Sequence, residues 1–348
     1  MDIEKLLTNE ELINFSQNLS PNRDRLGDRI FPNEKTQNLK ASFYRLTDQM
    51  QLPSIALVHG FDTEARIGER PTFEKVNFEK MLIKEKINLS ELVDQYISNG
   101  VSSDNAILNY VFDDMGRLAE SVLTRVEVMK CELLQSGKVK IKENHIDITL
   151  DYGVPSGNTS FSIADMSESA DILAEFQKVY DKAKSMGQNI KECIMSTKAL
   201  GKLRTNKYIQ TAIMGTLGQG TLLTTAQINT LMNEMFGFTI TTYDEQYKYV
   251  KANGTEASKR YIDENKIIFL AQTSIINEYG KGLWGVTQEE KKQGPWTMKS
   301  SQQYVTITKW TTPDPVATWT KASGLFVPAL YNPNGLFIAT ATLAWCYG

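Results

Sequence analysis

The sequence predicts an α+β protein with at least two packed units, and three observations lead to this prediction. The chain has 348 residues, which exceeds the size at which a single hydrophobic core usually stops growing. A segment ending at Gly137 carries apolar residues at steps of three and four over about 33 positions, a pattern typical of one very long amphipathic helix. Strand-like alternation precedes and follows that helix, and a mixture of helical and strand patterns fills the rest of the chain.

The composition is that of a globular protein. Hydrophobic residues make up 41% and charged residues 23% of the chain, which suffices to bury real cores. The formal net charge is −3, and acidic and basic residues are interspersed. We therefore expect no basic face that binds nucleic acid strongly by neutralising its phosphates. No leader-like start and no apolar run of about 18 residues occurs, so we expect neither a signal peptide nor a membrane span. Cys131, Cys193 and Cys346 are odd in number and far apart, which predicts reduced thiols.

The chain begins with a short predicted helix and an arm. Thr8 and Glu11 are spaced as a capping box, and the helix ends before Pro21. Residues 22–38 are polar, charged and without a period, so they predict an extended arm rather than a core segment.

The pattern of residues 51–90 predicts one long hairpin-like loop. Two strand-like segments, residues 53–61 and 79–89, lie on either side of a charged tip at residues 66–72. Acidic and basic residues are balanced along this segment. Taken alone, such a pattern is more often that of a solvated hairpin.

The long helix is predicted to begin at Ser102 or Ser103 and to end at Gly137, which supplies a left-handed stop. At about 1.5 Å per residue its length is about 50 Å. A rod with one apolar stripe packs across a sheet, and we expect the hairpin at residues 138–152, with its turn at Glu143, Asn144 and His145, to supply that sheet.

From about residue 165 helices and strands alternate, which predicts an α/β unit with a small sheet flanked by helices. The last part of the chain is β-rich with proline turns. All five tryptophans lie in the last 65 residues, and we interpret them as strand core and inter-strand packing.

Catalytic chemistry is not evident in the sequence. His59 and His145 are the only histidines, a poor set for metal binding or general base catalysis. The glycines of Gly215–Thr221 could cradle a phosphate, but the loop follows a helix and lacks the ending of a P-loop. Asp113 and Asp114 are adjacent helix residues that point about 100° apart, unlike a catalytic dyad. We therefore expect no enzyme activity, no metal and no cofactor.

The order of elements carries a resemblance to a known family. The strings involved are FPNEKT (31–36), VHGFDTEARIGERPTFEKVNFEKMLIKEKI (58–87), DDMGRLAESVLTRVEVMKCELLQSGKVKI (113–141), GLWGVTQEE (282–290) and LFVPALYNPNGLFIATA (325–341). Over roughly residues 29–343 the chain resembles tailed-phage major capsid proteins of the Hong Kong 97 fold, and it is similar to the lambda-like major capsid protein E family. The junction of the long "spine" helix with the hairpin contributes most to this resemblance.

The resemblance implies five regions. They are an N-terminal helix and arm (1–50), an extended β-hairpin loop (51–90), a peripheral domain with the spine helix and a β-ribbon (91–164), an α/β axial domain (165–309) and a C-terminal β return (310–348). The rod would give a thin, flat subunit its length.

The resemblance also implies residue roles. The loop would lie over an adjacent subunit through Glu64, Arg66, Gly68, Glu69 and Arg70. The arm would cross another subunit through Arg23, Arg25, Arg29 and Phe31. The apolar stripe predicts the spine-helix core as Tyr110, Val111, Met115, Leu118, Val122, Val126 and Met129.

As partners, the resemblance implies further copies of the chain in pentamers and hexamers, a portal, a separate scaffolding protein and possibly a decoration protein. The icosahedral shell of the virion would enclose DNA without sequence-specific binding, would assemble in the host cytoplasm and would not contact a membrane. About 25 residues precede the arm, so we expect a separate scaffold or none. Covalent cross-linking between subunits has no sequence support.

Three alternatives stay open. The same fold builds bacterial encapsulin compartments, which package enzymes rather than DNA. A tail or baseplate component would assemble into rings or tubes. An α/β hydrolase or transferase using Gly215–Thr221 would be a monomer or a small oligomer.

Overall fold

The computed structural model describes residues 23–48, 51–52, 54–58, 64, 67, 70–90, 104–216, 220–251, 254–273, 275–292, 297–299, 304–314 and 316–343. The helices of these residues are α1 (Leu26–Ile30), α2 (Asp104–Ser136), α3 (Ser156–Thr159), α4 (Ile172–Ser185), α5 (Thr197–Thr205), α6 (Lys207–Met214), α7 (Thr225–Phe236) and α8 (Gln288–Lys291).

The strands of the described residues are β1 (Asn33–Lys35), β2 (Lys40–Leu46), β3 (Phe73–Glu79), β4 (Met81–Ser90), β5 (Lys138–Glu143), β6 (Ile146–Asp151), β7 (Phe161–Ile163), β8 (Asn189–Met195), β9 (Thr239–Thr242), β10 (Gln246–Val250), β11 (Glu256–Arg260), β12 (Lys266–Gln272), β13 (Gly280–Trp284), β14 (Thr297–Lys299), β15 (Thr306–Pro313), β16 (Val316–Leu330) and β17 (Leu336–Ala341).

The chain divides into two compact units built from discontinuous segments. The first comprises residues 1–42, 77–130 and 281–329, and the second comprises residues 43–76, 131–280 and 330–348. The long helix, which the sequence predicted with nearly the same bounds, contributes to both.

A six-stranded sheet organises the first unit, with the order β1-β13-β16-β15-β14 and β4 paired along β16. Helix α2 packs directly on it, because a Cβ placed on Gly324 of β16 would lie only 3.0 Å from Val122 Cγ1. The sequence analysis assigned this role to the β5–β6 hairpin alone, and that assignment is wrong for the middle of the helix. The sheet beneath it combines the arm, β4 and the late strands.

Strand β4 also differs from its predicted place. It was expected to return the extended loop, yet it pairs antiparallel with β16 over Ala317–Phe326. Its apolar positions Met81, Ile83 and Ile87 are half-buried while the lysines between them are exposed, so pairing with a central strand buries its apolar face. Strand β3 pairs with β2 instead, and residues 54–58 form no strand.

A five-stranded mixed sheet organises the second unit, with the order β7-β17-β12-β8-β9. Phe176 of α4 and Phe238 meet Phe269 of β12 edge-on, with ring centroids 5.6 and 5.7 Å apart, inside one apolar cluster. The sequence of residues 198–215 has one continuous helical pattern, but the structure divides it at Asn206, whose side chain accepts hydrogen bonds from the amides of Tyr208 and Ile209 and thereby begins a new helix.

The β5–β6 ribbon confirms the predicted hairpin. Asn144 and His145 have φ values of 48° and 64°, as the two-residue turn of such a hairpin requires. Gly137 ends α2 with a φ of 69°, which is the left-handed stop that its position predicted.

Candidate assembly site

The arm is tied to the spine helix by a buried polar cluster. Lys130 of α2 has no exposed surface, and its Nζ donates to Asp28 Oδ1 at 2.6 Å, to Asn33 Oδ1 at 2.8 Å and to the carbonyl oxygen of Phe31 at 3.0 Å. Because a buried ammonium must be paired and hydrogen-bonded, these contacts hold α1 and β1 in one position on the helix.

A second buried charge on α2 acts on the same arm segment. Glu127 accepts a hydrogen bond from the amide of Gly27 at 2.9 Å. A Cβ on Gly27 would lie 2.6 Å from Glu127 Oε2 and 2.8 Å from Lys130 Cβ. The close approach of the arm to the helix therefore requires glycine at this position.

The four residues predicted as arm contacts differ in their exposure to solvent. Arg23 is exposed and forms an ion pair with Glu120 of α2 at 2.7 Å. Arg29 is exposed and Arg25 is half-buried. Phe31, by contrast, has an exposed fraction of 0%. A side chain without exposed surface cannot reach a neighbour, so Phe31 is corrected from an inter-subunit contact to an anchor of the arm within its own subunit.

The root of the extended loop is held by side chains of the second unit. Arg45 Nη2 lies 2.6 Å from Glu74 Oε2, and Arg45 Nη1 donates to the carbonyl oxygen of Tyr152 at 2.9 Å. Asn334 Nδ2 donates to the carbonyl oxygen of Asp48 at 2.9 Å. These bonds fasten both ends of the loop to the second unit.

Beyond its root the loop exposes large apolar side chains. Ile55, Val58 and Ile67 have exposed fractions of 90%, 100% and 92%. Further members of this set are Leu52, Leu57 and Phe73. A run of exposed apolar residues of this kind is typical of an interaction site rather than of a solvated hairpin.

Of the predicted loop contacts, Glu64 and Arg70 are exposed, whereas Arg66, Gly68 and Glu69 lie outside the described residues. Along the spine helix, five predicted core residues are at most 2% exposed. They are Met115, Leu118, Val122, Val126 and Met129. The side chains of Tyr110 and Val111 lie outside the description.

Lys80 is a buried lysine between β3 and β4. Its Nζ donates to three backbone carbonyl oxygens, at 2.6 Å to Asn38, 3.1 Å to Trp284 and 3.4 Å to Thr36, and it also contacts the hydroxyl of Thr36. Burial lowers the pKa of Lys80 to about 8, because its neutral partners offset little of the cost of removing the charge from water. The sequence analysis counted Lys80 only among the charges of the loop.

The sequence analysis also missed Glu127 and Lys130. Both are buried, although charged residues rarely are unless paired. For Lys130 the available signal was its spacing, four residues after Val126 and three before Leu133, which places it on the apolar stripe of α2.

The described residues considered for catalysis at His145 and in the Gly215–Thr221 loop are exposed to solvent or hydrogen-bonded to a neighbouring side chain. His145 is exposed at the ribbon turn. In the Gly215–Thr221 loop, the amide of Gly220 donates to Gln210 Oε1 at 3.0 Å, and Gln210 Nε2 donates to the carbonyl oxygen of Thr221 at 2.9 Å. Within the described part of the chain, no three metal-ligating side chains come together, and no helix there is long and apolar enough to span a membrane.

Comparison with known proteins gives matches over nearly the whole chain. The family described as phage major capsid protein E matches residues 8–341. A solved structure assigned as the capsid protein of a prophage of E. coli CFT073 is 13% identical, covers 97% of this chain and 99% of its own, and superposes with a TM-score of 0.57. A phage-related protein from Bordetella bronchiseptica RB50 is 8% identical, covers 94% and 96%, and has a TM-score of 0.55. No curated protein sequence is significantly similar.

Proposed function

This chain belongs to the phage major capsid protein E family, and from that premise we propose that its copies assemble as pentamers and hexamers into an icosahedral shell that encloses a double-stranded DNA genome. The chain has the Hong Kong 97-type capsid fold that the sequence predicted. Self-association into a shell is the property of the family on which the rest of the proposal depends.

The exposed apolar set of the extended loop supports this proposal most directly. Leaving Ile55, Val58 and Ile67 in water forgoes roughly 1.5–3 kcal/mol of burial for each side chain. A neighbouring copy that covers them recovers this free energy at every contact. Mixed charges at Glu64 and Arg70 then set the register of the loop on the neighbour, since exposed pairs contribute only about 0–1 kcal/mol each.

The arm has a double role in the proposal. Its buried part, held by Lys130 and Phe31, stays with its own subunit, and its exposed arginines Arg23 and Arg29 face outward. Arg25 and these two residues would contact a second neighbour. The axial domain at residues 165–309 would cluster around the five-fold and six-fold positions.

The remaining parts of the proposal follow from the family. The protein would have no catalytic activity and would bind no cofactor. Its partners would be a portal and a separate scaffolding protein, and a decoration protein is a further candidate partner. It would be assembled in the host cytoplasm and remain in the virion. Packaging of an enzyme cargo instead of DNA would identify the encapsulin alternative.

The double variant Ile55→Asp with Val58→Asp tests the role of the loop. Both side chains are at least 90% exposed, so we expect the subunit to fold with an unchanged unfolding temperature but to form no shells in sedimentation velocity and negative-stain electron microscopy. Val250→Asp is the matched control, because Val250 is also exposed, at 68%, but lies on β10. Intact shells from the double variant, or equal loss in the control, would overturn the loop assignment.

A further inference from the structure

Residues from three strands of the first unit meet on one face of the six-stranded sheet. Lys86 of β4 lies opposite Lys321 of β16, and Trp319 of β16 lies opposite Trp310 of β15. Directly opposite residues share a face, and so do residues two apart along a strand. Lys84, Lys86, Trp310, Trp319 and Lys321 therefore form one surface, the tryptophan–lysine face.

The side chains of this face are in contact. The rings of Trp310 and Trp319 are nearly parallel, at 13°, with centroids 6.3 Å apart. Lys86 Nζ lies 4.2 Å from the ring centroid of Trp319, and Lys321 Nζ lies 5.6 Å from that of Trp310. Cation–π contacts at such distances hold each ammonium group over a ring, so the positive charges are positioned before any ligand arrives.

The face lies on the opposite side of the sheet from the spine helix. The helix contacts the alternate positions of β16, as Val122 does near Gly324. The lysines of β4 are exposed, and the two tryptophans are half-buried. Among the described residues of this unit, the face is thus open to a partner.

The charge of the tryptophan–lysine face is mainly positive. In the registered strands β4, β15 and β16, the positions on this face carry three lysines and no carboxylate. Glu289 reaches the face from α8, at 2.7 Å from Lys321 and 3.8 Å from Lys84. Burial alone would raise the pKa of Glu289, but the hydrogen bond from Lys321 and the charges of Lys321 and Lys84 lower it. One carboxylate thus faces three cations, unlike the balanced charges of the extended loop.

We propose that the tryptophan–lysine face contacts the phosphate backbone of duplex DNA. The inference rests on the proposed function, because the DNA is the genome that the shell encloses. Phosphates match the excess positive charge, and the indole rings supply a flat surface beneath the lysines. Each subunit would neutralise about two phosphates, because Lys321 is already paired with Glu289, so a single face binds weakly and its affinity falls with salt with a log–log slope of about −2. The many copies in a shell would together hold DNA without regard to sequence.

The test uses full-length subunits before assembly and a fluorescently labelled duplex of 20 base pairs at low ionic strength. In fluorescence anisotropy, the double variant Lys84→Gln with Lys86→Gln should bind about tenfold more weakly than the wild type, with a log–log salt slope smaller by about 2. The matched control is Lys140→Gln with Lys142→Gln, which removes two exposed lysines from the ribbon and should change affinity less than about twofold.

Failure of this inference can be separated from failure of the proposed function by examining shells of the same variants. We expect Lys84→Gln with Lys86→Gln to form shells like the wild type. Wild-type subunits that bind no duplex, or equal losses in the test and control variants, would overturn the DNA contact while leaving shell formation intact. Loss of shells in the test variant would show that the face covers another subunit, and this outcome also overturns the proposal.

Discussion

Lys130 Nζ and Asp28 Oδ1 lie 2.6 Å apart, with the lysine side chain fully buried and the carboxylate 31% exposed. The pair joins the first helix of the arm to the long helix, and Asn33 connects to both of them through its side chain. The arm is therefore fixed on the long helix by charge as well as by apolar contact.

Removing this buried charge should destabilise the subunit. Lys130→Met leaves Asp28, Asn33 and the carbonyl oxygen of Phe31 without their shared donor, and breaking a buried pair costs about 3–5 kcal/mol. Lys138→Met is the matched control, since the Lys138–Asp151 pair is about half exposed on both sides and should cost less than about 1 kcal/mol. Urea unfolding of unassembled subunits measures both. Equal costs would show that the buried pair does not determine the stability of the arm.

Val122→Asp should destabilise the subunit itself, before any assembly. Val122 is fully buried on the sheet beside Gly324, and an unpaired carboxylate there costs several kcal/mol. Thr124→Asp, two residues along the same helix and half-exposed, should cost far less. Thermal unfolding distinguishes the two variants. An unchanged midpoint for Val122→Asp would mean that this face of the helix is not core.

Lys80 should make the stability depend on alkaline pH. Its folded-state pKa of about 8 lies below the ordinary value of 10.5, so between these values the unfolded chain binds a proton that the folded chain has released. The free energy of unfolding contributed by Lys80 therefore rises as pH increases from 8 to 10.5, by up to about 3 kcal/mol.

Other groups titrate in the same window, so the measured quantity is the difference between wild type and Lys80→Met. Urea midpoints across this pH range should rise more in the wild type than in the variant. Parallel curves would show that Lys80 titrates normally.

Reversing two charges of the loop should stop assembly without unfolding the subunit. For Arg66→Glu with Arg70→Glu we expect a change in unfolding free energy within about 0.5 kcal/mol, as for most surface substitutions, and no shells by electron microscopy. Lys178→Glu with Lys182→Glu, on the exposed side of α4, is the control for charge reversal and should leave assembly intact. Shells formed by the loop variant would count against its contact with a neighbour.

Much of the fold could be predicted from local sequence signals. The period of the long helix, its stop at Gly137 and the turn at Asn144 and His145 were all readable because each depends on residues close together in sequence. The division at Asn206 was also readable in principle, since an asparagine followed by a helical pattern is an N-cap signal. These elements, in their order, were enough to indicate the family.

Pairings between distant segments were decided by the tertiary structure. The sequence indicated that residues 79–89 form a strand, but not that β16 would be its partner, and strand register depends on which distant apolar face is available. The same holds for the sheet beneath the spine helix and for the meeting of Lys86 with Trp319. By itself the sequence determined most of the elements and the family of this protein. Only packing decided which charges are buried and which lie together on a face, because burial and shared faces arise from contacts that no local pattern specifies.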